Sequence, residues 1–145
     1  MNHAKQRLIF GADHAGYDLK TALINAVKAQ GYETVDVGTN GTESVDYPDF
    51  IPSVVSDVLK GAIGILICGS GIGMSIGANR YKGIRAALCL TPDMARLSRA
   101  HNDANILVLG ERLITPEDAI LTLKVFLDTP FEGGRHARRV EKLEE

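Results

Sequence analysis

A cysteine followed by alternating glycines is the part of this sequence whose residue types are equipped for chemistry. Cys68 ends the apolar run 63–67, and Gly69, Gly71 and Gly73 follow it. Backbone N–H groups that glycines leave uncovered bind anions, and they favour the thiolate form of a neighbouring cysteine. The segment therefore predicts a thiolate beside an anion-binding loop. A small buried cysteine before a structural turn is the alternative interpretation of the same residues.

Other reactive side chains follow further apolar runs. Asp13 and His14 come after the first run, and Arg112 comes after the last. If these runs are neighbouring parallel strands, ligands bind at their carboxyl ends, and the three side chains share one crevice with Cys68. Asp13 and His14 also have a structural interpretation, because an aspartate before a helix commonly caps it and a histidine can be a partly buried ring bonded to nearby carbonyls.

His101 and Asn102 occupy a different position in the pattern. They precede the last apolar run, so within one chain they are expected at the amino edge of the sheet. They can join a site at Cys68 only from another subunit or by an unforeseen chain path, which favours a site shared across a dimer. Arg135 and Arg139 lie one helical turn apart, as in a phosphate clamp or on a solvated helix.

Strands and helices that alternate along the chain must position these side chains. Apolar or alternating segments predict strands at 7–12, 33–37, 63–67, 84–90 and 105–109. Apolar residues at helical spacing, and threonine–proline pairs that start a helix, predict helices at 19–27, at 50–59, after the glycines, from 92 toward 101, and from 116. A polar tail, 131–145, follows. This order predicts a single doubly wound α/β domain over 1–145, with a five-stranded parallel sheet and helices on both faces.

Composition restricts the class of partner and the chemistry. A net charge of −2 gives no reason to expect nucleic acid or a membrane surface as a partner, and no apolar stretch is long enough to span a bilayer. No secretion signal is found, so a cytoplasmic protein with free thiols is expected. Cys68 and Cys89 do not have the spacing of a metal motif, and no metal is expected. Cys89 lies inside a predicted apolar strand and is interpreted as inert packing.

The glycine loop matches neither common nucleotide motif. A GxGxxG fingerprint that starts at Gly69 requires glycine where Met74 stands, and one that starts at Gly71 requires glycine where Ile76 stands. The next strand carries no acid at its end to hold a ribose diol, and no Gly-Lys-Ser/Thr follows for a phosphate loop. No nucleotide cofactor is therefore expected.

Seven short segments form a set that is specific in combination, although no single one is. They are Gly11-Ala-Asp13-His14-Ala-Gly16, Asp46-Tyr47-Pro48, Ile67-Cys68-Gly69-Ser70-Gly71-Ile-Gly73, Ala78-Asn79, Ile84-Arg85-Ala86, Ser98-Arg99-Ala-His101-Asn102-Asp103 and Glu132-Gly133-Gly134-Arg135-His136. The set resembles the type B ribose-5-phosphate isomerase family, which also contains the subunits of galactose-6-phosphate isomerase. The resemblance runs from the first strand to about Arg139.

This resemblance implies an aldose–ketose isomerase for sugar phosphates that uses no metal or organic cofactor. Cys68 would be the base that moves a proton between C2 and C1 through a cis-enediolate, with Ser70 assisting and His101 opening the furanose ring. Backbone amides of the loop would stabilise the enediolate, and the other assigned residues would bind hydroxyls or the phosphate. The substrate-binding residues so implied are Asp13, His14, Tyr47, Gly69, Gly71, Ile72, Gly73, Met74, Asn102, Arg112, Arg135 and Arg139.

The resemblance also implies a homodimer or a dimer of dimers, with His101 and Asn102 supplied by the partner. One branch of the family uses a glutamate on the helix after the glycine loop as the base, where this chain has Met74, so the base is assigned to Cys68. Isomerisation of allose 6-phosphate or galactose 6-phosphate is the nearest alternative activity. A non-catalytic sugar-phosphate sensor is a further alternative, and a thiol hydrolase is a weaker one because no His–Asp pair is recognisably arranged to activate Cys68.

Overall fold

A parallel five-stranded sheet forms the centre of the molecule, which a computed structural model describes over residues 5–145. The strands are β1 (Leu8–Ala12), β2 (Thr34–Asp36), β3 (Ile63–Cys68), β4 (Ala86–Leu88) and β5 (Ile106–Gly110). Their order is β2-β1-β3-β5-β4, and every neighbouring pair is parallel. The sheet grows from β1 in both directions, as in doubly wound proteins, so the predicted fold class is confirmed.

Helices connect the strands and follow the last one. Within residues 5–145 the α-helices are α1 (Tyr17–Lys28), α2 (Ile51–Val58), α3 (Ile72–Ala78), α4 (Pro92–Ala100), α5 (Pro116–Asp128) and α6 (Arg135–Leu143). Short 3₁₀ turns occur at His14–Gly16, Tyr47–Phe50 and Glu111–Leu113. Thr91 and Thr115 cap α4 and α5, as their sequence predicts. In this part of the chain no helix has both the length and the apolar character needed to cross a bilayer.

Alternate residues along the strands face opposite sides of the sheet and build two apolar cores. On β3, Ile65 and Ile67 join the core beneath α1, α4 and α5, while Leu66 and Cys68 join the core beneath α2 and α3. All four are buried. Burial on both faces explains why β3 is a continuous apolar run in the sequence. The sulfur of Cys68 therefore lies on the side of the sheet that α2 and α3 cover.

β4 is shorter than the predicted strand at 84–90, because side chains take the N–H groups that flank it. Asn105 Oδ1 accepts the Arg85 N–H at 2.8 Å, and the Met94 sulfur accepts the Leu90 N–H at 3.4 Å. Cys89 lies directly after β4 and not inside a strand, although its N–H still donates to the Val108 carbonyl of β5 at 3.1 Å. It is nevertheless buried in the core beneath α1, α4 and α5.

The predicted polar tail is largely helical. α6 starts at Arg135, and its buried residues, His136 and Val140, are one turn apart. After the helix, Glu144 accepts hydrogen bonds from Arg85 Nη1 at 2.8 Å and from the Gly83 N–H at 3.0 Å. Two buried side chains on one face and the ion pair of Glu144 with Arg85 dock this helix against the rest of the molecule.

Candidate active site

The carboxyl ends of β1, β3 and β5 meet at one edge of the sheet. Ala12 pairs with Ile67 and Cys68 pairs with Gly110, so the loops that follow these strands lie side by side. A cleft of about 570 Å³ opens there. Its lining residues are Asp13, His14, Ala15, Tyr47, Cys68, Gly69, Ser70, Ile72, Gly73, Ile76 and Arg112. The carboxyl edge beside β1 and β3, where the chain reverses its direction across the sheet, is the position at which such folds bind ligands.

Cys68 presents its sulfur to this cleft with a hydrogen bond already in place. The side chain is buried, and Gly71 donates its backbone N–H to Sγ at 3.2 Å. Gly71 has a φ of 78°, in the left-handed region that glycine tolerates. A Cβ at that position would lie 2.6 Å from Leu88 Cδ1. The sulfur of Cys68 is therefore buried at the edge of the cleft with a backbone hydrogen-bond donor directed at it.

The other N–H groups of the loop differ in whether a side chain already accepts them. Ile72 donates its N–H to Ser70 Oγ at 3.2 Å, as Gly71 does to the sulfur. The N–H groups of Gly73 and Met74 lie in the first turn of α3, where no carbonyl within the helix can accept them. These two groups are the ones placed to receive an anion. The Met74 side chain is fully buried, so this residue offers only its backbone.

Two glycines of the loop form flat surfaces on which polar side chains rest. A Cβ on Gly73 would lie 2.5 Å from Tyr47 Cζ, and a Cβ on Gly69 would lie 2.9 Å from Arg112 Nη1. Arg112 is fixed a second time, because its N–H donates to the Gly69 carbonyl at 2.9 Å. The tyrosine ring and the guanidinium group are thus held against the segment that follows Cys68.

Asp13 and His14 each make one fixed contact and also line the cleft. Asp13 Oδ1 accepts the Gly16 N–H at 3.1 Å, so the capping interpretation of this residue holds alongside its place in the cleft. His14 Nδ1 accepts the Val45 N–H at 3.1 Å. Because Nδ1 is the acceptor, a neutral ring assigned from this bond carries its proton on Nε2, which makes Nε2 a donor for an anionic ligand.

Lys20 anchors the segment leading to Tyr47, although the sequence pattern did not indicate it as a site residue. Lys20 is fully buried, and its Nζ donates to Asp36 Oδ1 and to the Thr39 carbonyl, each at 2.6 Å. These bonds hold the start of the segment 39–46. A lysine on an apolar helix face usually extends its charge to solvent, so its position alone does not indicate burial. The sequence feature that could have indicated a partner for Lys20 is the carboxylate of Asp36, near the end of the predicted strand 33–37.

Two glycines outside the loop allow the backbones of the site to approach closely. A Cβ on Gly110 would lie 2.4 Å from the carbonyl carbon of Ser70, and a Cβ on Gly16 would lie 2.7 Å from the carbonyl oxygen of Ile67. Both clashes are with backbone atoms, which cannot rotate away as a side chain can. The sequence pattern assigns no role to Gly110, although a glycine at the end of an apolar strand is a recognised sign of close backbone approach.

Six of the predicted site residues do not line the cleft. Two of them, Gly71 and Met74, belong to the loop and helix directly beside it, whereas the other four lie elsewhere. His101 and Asn102 lie between α4 and β5, at the amino edge of the sheet, and Arg135 and Arg139 lie on α6. Asn102 lines a separate cavity of about 740 Å³ beside β4 and the end of α6. That cavity is larger than the cleft, but it contains neither a thiol nor the glycine loop. The separation of His101 and Asn102 from the cleft agrees with their predicted place before the last strand.

His101 forms a face-to-face pair with His136 beside Glu132. The ring centroids are 4.2 Å apart with planes inclined by 9°, and Glu132 Oε1 lies 3.7 Å from His101 Nε2 and 3.6 Å from His136 Nε2. Donor atoms of the three residues lie within 4.8 Å of one another. The nitrogen lone pairs lie in the ring planes, so two parallel rings cannot both point at one ion. Without rotation of a ring, this cluster does not fit a metal.

Burial and nearby charges raise the pKa of two groups, Cys89 and Glu111. Burial raises the pKa of Cys89 to about 11, against a smaller lowering by a hydrogen bond with Ser98. Burial also raises the pKa of Glu111, which follows β5, and the nearby carboxylates of Asp18 and Asp13 raise it further. Cys89 is therefore a neutral thiol at physiological pH, as expected for a packing residue.

Known proteins share both the sequence and the fold. The family model described as Ribose/Galactose Isomerase matches residues 8–143. The chain belongs to this family. Among its relatives, ribose-5-phosphate isomerase B of Escherichia coli K12 is 42% identical over 140 residues, which cover 95% of this chain and 94% of the relative. The resemblance drawn from the sequence motifs is thereby confirmed.

Solved structures of isomerase family members superpose on nearly all of this chain. A ribose 5-phosphate isomerase from Thermotoga maritima is 54% identical, covers 99% of both chains and gives a TM-score of 0.94. Ribose-5-phosphate isomerase B from Mycoplasma genitalium, solved with bound ribulose 5-phosphate, is 38% identical, covers 98% of this chain and 96% of its own, and gives a TM-score of 0.93. These relatives carry the same α/β architecture.

Proposed function

We propose that this chain interconverts ribose 5-phosphate and ribulose 5-phosphate. The observation that carries the proposal is the thiol of Cys68, which receives the Gly71 N–H inside a cleft whose walls carry groups suited to hydroxyls and phosphate. Membership of the isomerase family supports the same class of reaction. The Mycoplasma genitalium relative, with ribulose 5-phosphate bound, supports the five-carbon substrate.

Cys68 is the base in this reaction. As a thiolate it takes the proton from C2 of the open-chain aldose. The C2–H electron pair forms the C1–C2 double bond, and the carbonyl pair moves onto O1 to give a cis-enediolate. The Cys68 thiol then returns the proton to C1, while a proton passes from O2 to O1 with the Ser70 hydroxyl as carrier. Bonds are redistributed within one molecule, so atoms and electrons balance without an oxidant or a reductant.

Backbone N–H groups of the loop stabilise the charge that develops on the enediolate. Those of Gly73 and Met74 are the ones without an acceptor within the helix, so they serve as the donors to this oxygen. Removal of one such donor typically slows a reaction by about 10²–10³. The burial of Cys68 keeps the reacting carbons away from bulk water, which strengthens these interactions.

Side chains around the loop hold the rest of the substrate. His14, through its Nε2–H, and Arg112, through its guanidinium group, bind the phosphate. Asp13 and Tyr47 bind sugar hydroxyls. Hydroxyl groups recur along both pentose and hexose chains, so these two contacts do not by themselves select a five-carbon sugar, and hexose phosphates belong in any substrate panel.

A second copy of the chain completes the site in this proposal. His101 of one copy opens the furanose ring of a sugar bound in the other, Asn102 helps to hold the opened chain, and Arg135 and Arg139 contribute to phosphate binding. These four residues lie outside the cleft of their own chain, which supports a homodimer, or a dimer of dimers, with shared sites. Both cysteines are free, which fits an enzyme that works in the reducing cytoplasm.

The test is turnover of ribose 5-phosphate to ribulose 5-phosphate by the purified chain and by two cysteine variants. Cys68→Ala is expected to lower kcat by about 10²–10⁴, the contribution of a general base, whereas Cys89→Ala retains activity because that thiol only packs in the core. Full activity of Cys68→Ala contradicts the mechanism. Allose 6-phosphate and galactose 6-phosphate complete the panel. Turnover of a hexose phosphate alone would change the substrate assignment to a six-carbon sugar, and binding of a sugar phosphate without turnover would favour a non-catalytic sensor.

A further inference from the structure

His136 is a buried histidine that the proposed reaction does not use. It is 9% exposed and lies in the first turn of α6, where its backbone N–H donates to the Gly133 carbonyl at 3.1 Å. A buried polar ring on a largely polar helix is expected to contact another group that stabilises it. Its partner is His101, on which it stacks at a centroid distance of 4.2 Å.

The stack restricts how the His101 ring can be oriented. His101 follows the last residue of α4, and its side chain is 37% exposed, so solvent alone would leave the ring free to rotate about its two side-chain bonds. The planes of the two rings differ by only 9°. A buried ring lying flat against an exposed one fixes the plane of the exposed ring and leaves its edge open to a substrate.

The backbone around the pair keeps the two rings in register. The Glu132 N–H donates to the carbonyl of Ala100, the residue before His101, at 3.0 Å. This bond joins the segment before α6 to the end of α4. Arg135 and Arg139 are on the same helix as His136, so one docked helix carries both the buried ring and the two arginines.

Glu132 contributes less to this arrangement than the stack does. Its carboxylate lies 3.6–3.7 Å from both Nε2 atoms, beyond hydrogen-bond distance, and its side chain is 55% exposed. Interactions between such solvated charges are weak. The buried ring therefore determines the geometry, and the glutamate adds a solvated charge beside it.

The surroundings of His136 favour its uncharged form. Burial lowers the pKa of His136, and electrostatic interactions with His101, Arg135 and Arg139 lower it further, although Glu132 opposes them. A neutral ring stacks on His101 without the repulsion that two imidazolium ions would experience.

From this geometry we propose that His136 is a positioning residue, whose ring holds His101 in the orientation needed to open the furanose ring of the substrate. The proposal rests on the proposed function, since it concerns one step of that reaction. It assigns no contact between His136 and the sugar. The stack, together with the docked helix, makes the orientation of His101 depend on the position of α6.

The experiment is a double-mutant cycle on ribose 5-phosphate turnover, with a conservative rescue. His136→Ala is expected to lower kcat/KM by about threefold to tenfold, the size of one aromatic contact. His136→Phe keeps an aromatic face without ring nitrogens and is expected to restore most of the loss. In a His101→Asn background, His136→Ala is expected to have no further effect, because residues that act through one another are not additive. Arg138→Gln, an exposed neighbour on the same helix, is the control and leaves the rate unchanged.

Two physical readouts accompany the cycle. Thermal melting shows whether each variant is folded, and the imidazole proton shifts of His101, measured by nuclear magnetic resonance, show whether the ring-current effect of the stack is present. If the alanine variant fails to fold, the phenylalanine variant carries the test, because a rate near that of the wild type shows that an aromatic face is sufficient.

Three results would overturn the proposal: an equal loss from His136→Ala in both backgrounds, no loss at all, or no rescue by phenylalanine. An equal loss would mean that His136 acts on the docking of α6 and not through His101. Failure of the proposed function has a separate signature, since the wild-type chain would then show no pentose turnover while the His101 shifts still report the stack.

Discussion

Cys68 and Cys89 are both buried and free, but their polar neighbours differ. The Cys68 sulfur receives an N–H from Gly71 and borders the cleft. Cys89 lies in the core, where burial raises its pKa to about 11. Only the thiolate reacts with alkylating agents. The chain therefore contains one cysteine that is equipped for chemistry and one that serves as packing.

This difference predicts selective inactivation by iodoacetamide. Between pH 7 and 9 Cys89 stays protonated because its raised pKa of about 11 lies above that interval, so alkylation at Cys68 should account for the loss of activity. Peptide mass mapping against residual turnover checks this. The control variant Cys89→Ala should be inactivated at the wild-type rate. Loss of activity while Cys68 remains unlabelled would contradict the assignment of Cys68 as the base.

The contact between Gly73 and Tyr47 gives a second test at the residue scale. Because a Cβ on Gly73 would lie 2.5 Å from the tyrosine ring, Gly73→Ala should displace that ring and raise KM for ribose 5-phosphate by about tenfold, a loss of the order of one hydrogen bond. Steady-state kinetics measure the change. Gly41→Ala is the matched control, since no atom lies within 4 Å of a Cβ there. An unchanged KM for Gly73→Ala would mean that Tyr47 does not hold the substrate.

At the scale of elements, the buried Lys20 links the end of β2 to the start of the segment 39–46, through its ion pair with Asp36 and its hydrogen bond to the Thr39 carbonyl. Lys20 has no exposed side-chain surface, whereas Asp36 is 41% exposed. Truncation of the aspartate leaves a buried ammonium group without its countercharge. Replacement of the lysine by an apolar side chain removes the charge itself and leaves only the half-exposed carboxylate, which water can solvate.

The two truncations should consequently differ in cost. Asp36→Ala is expected to lower the free energy of unfolding by about 2–4 kcal/mol, slightly below the range for a fully buried pair because one partner is half exposed. Lys20→Met should cost less than that. Urea unfolding of both variants checks the order, with Glu33→Ala as a control for an exposed ion pair, expected within about 1 kcal/mol of wild type. The reverse order would show that Lys20 is not dependent on Asp36.

The sequence pattern correctly predicts those strands and helix starts whose signal lies within the element itself. β1, β3 and β5 are apolar runs buried on both faces, and the proline-led starts of α4 and α5 follow from their caps. Where α6 lies, the pattern predicts a polar tail in which Arg135 and Arg139 are one helical turn apart. It does not predict that this helix docks, because docking depends on an ion pair between Arg85 and Glu144, which are 59 residues apart. The pairing of a lysine with a distant carboxylate is equally invisible in a sequence pattern.

The candidate site shows the same division. The glycines after Cys68 indicate the loop and its N–H groups, because alternating glycines directly after a buried strand are typical of a backbone that binds a ligand. The contact of His14 with Val45 joins residues 31 apart. The close approach of Gly110 to Ser70 depends on β5 pairing with β3, a fact of topology that spacing does not contain.

At the scale of the whole molecule, the residues assigned to the proposed shared site lie on opposite edges of the sheet within one chain. Cys68 lines the cleft at the carboxyl edge, and His101 lies at the amino edge. In the proposed dimer each copy gives one half and receives the other. Symmetric dimers commonly arrange shared sites in this way, since every contact then occurs twice.

Mixed dimers test this arrangement directly. Cys68→Ala and His101→Asn are each expected to be nearly inactive, but co-refolding equal amounts should restore about a quarter of wild-type turnover, because random pairing gives half heterodimers with one intact site in two. Turnover after mixing, beside size-exclusion chromatography, measures the recovery. Variants that stay inactive together despite forming dimers would show that each site belongs to a single chain.

The central position of β3 also has a consequence for how the protein is made on the ribosome. Ile63 pairs with Leu8, which is synthesised early, while Gly64 must await Ile106. Pairings across such sequence separations form slowly, and until residue 110 has emerged the apolar edge of β3 has no partner and is open to a neighbouring nascent chain. The loop at Cys68, which packs against Gly110, therefore acquires its shape only after β5 has been made. Translation that stalls before that point leaves an aggregation-prone fragment in place of an enzyme.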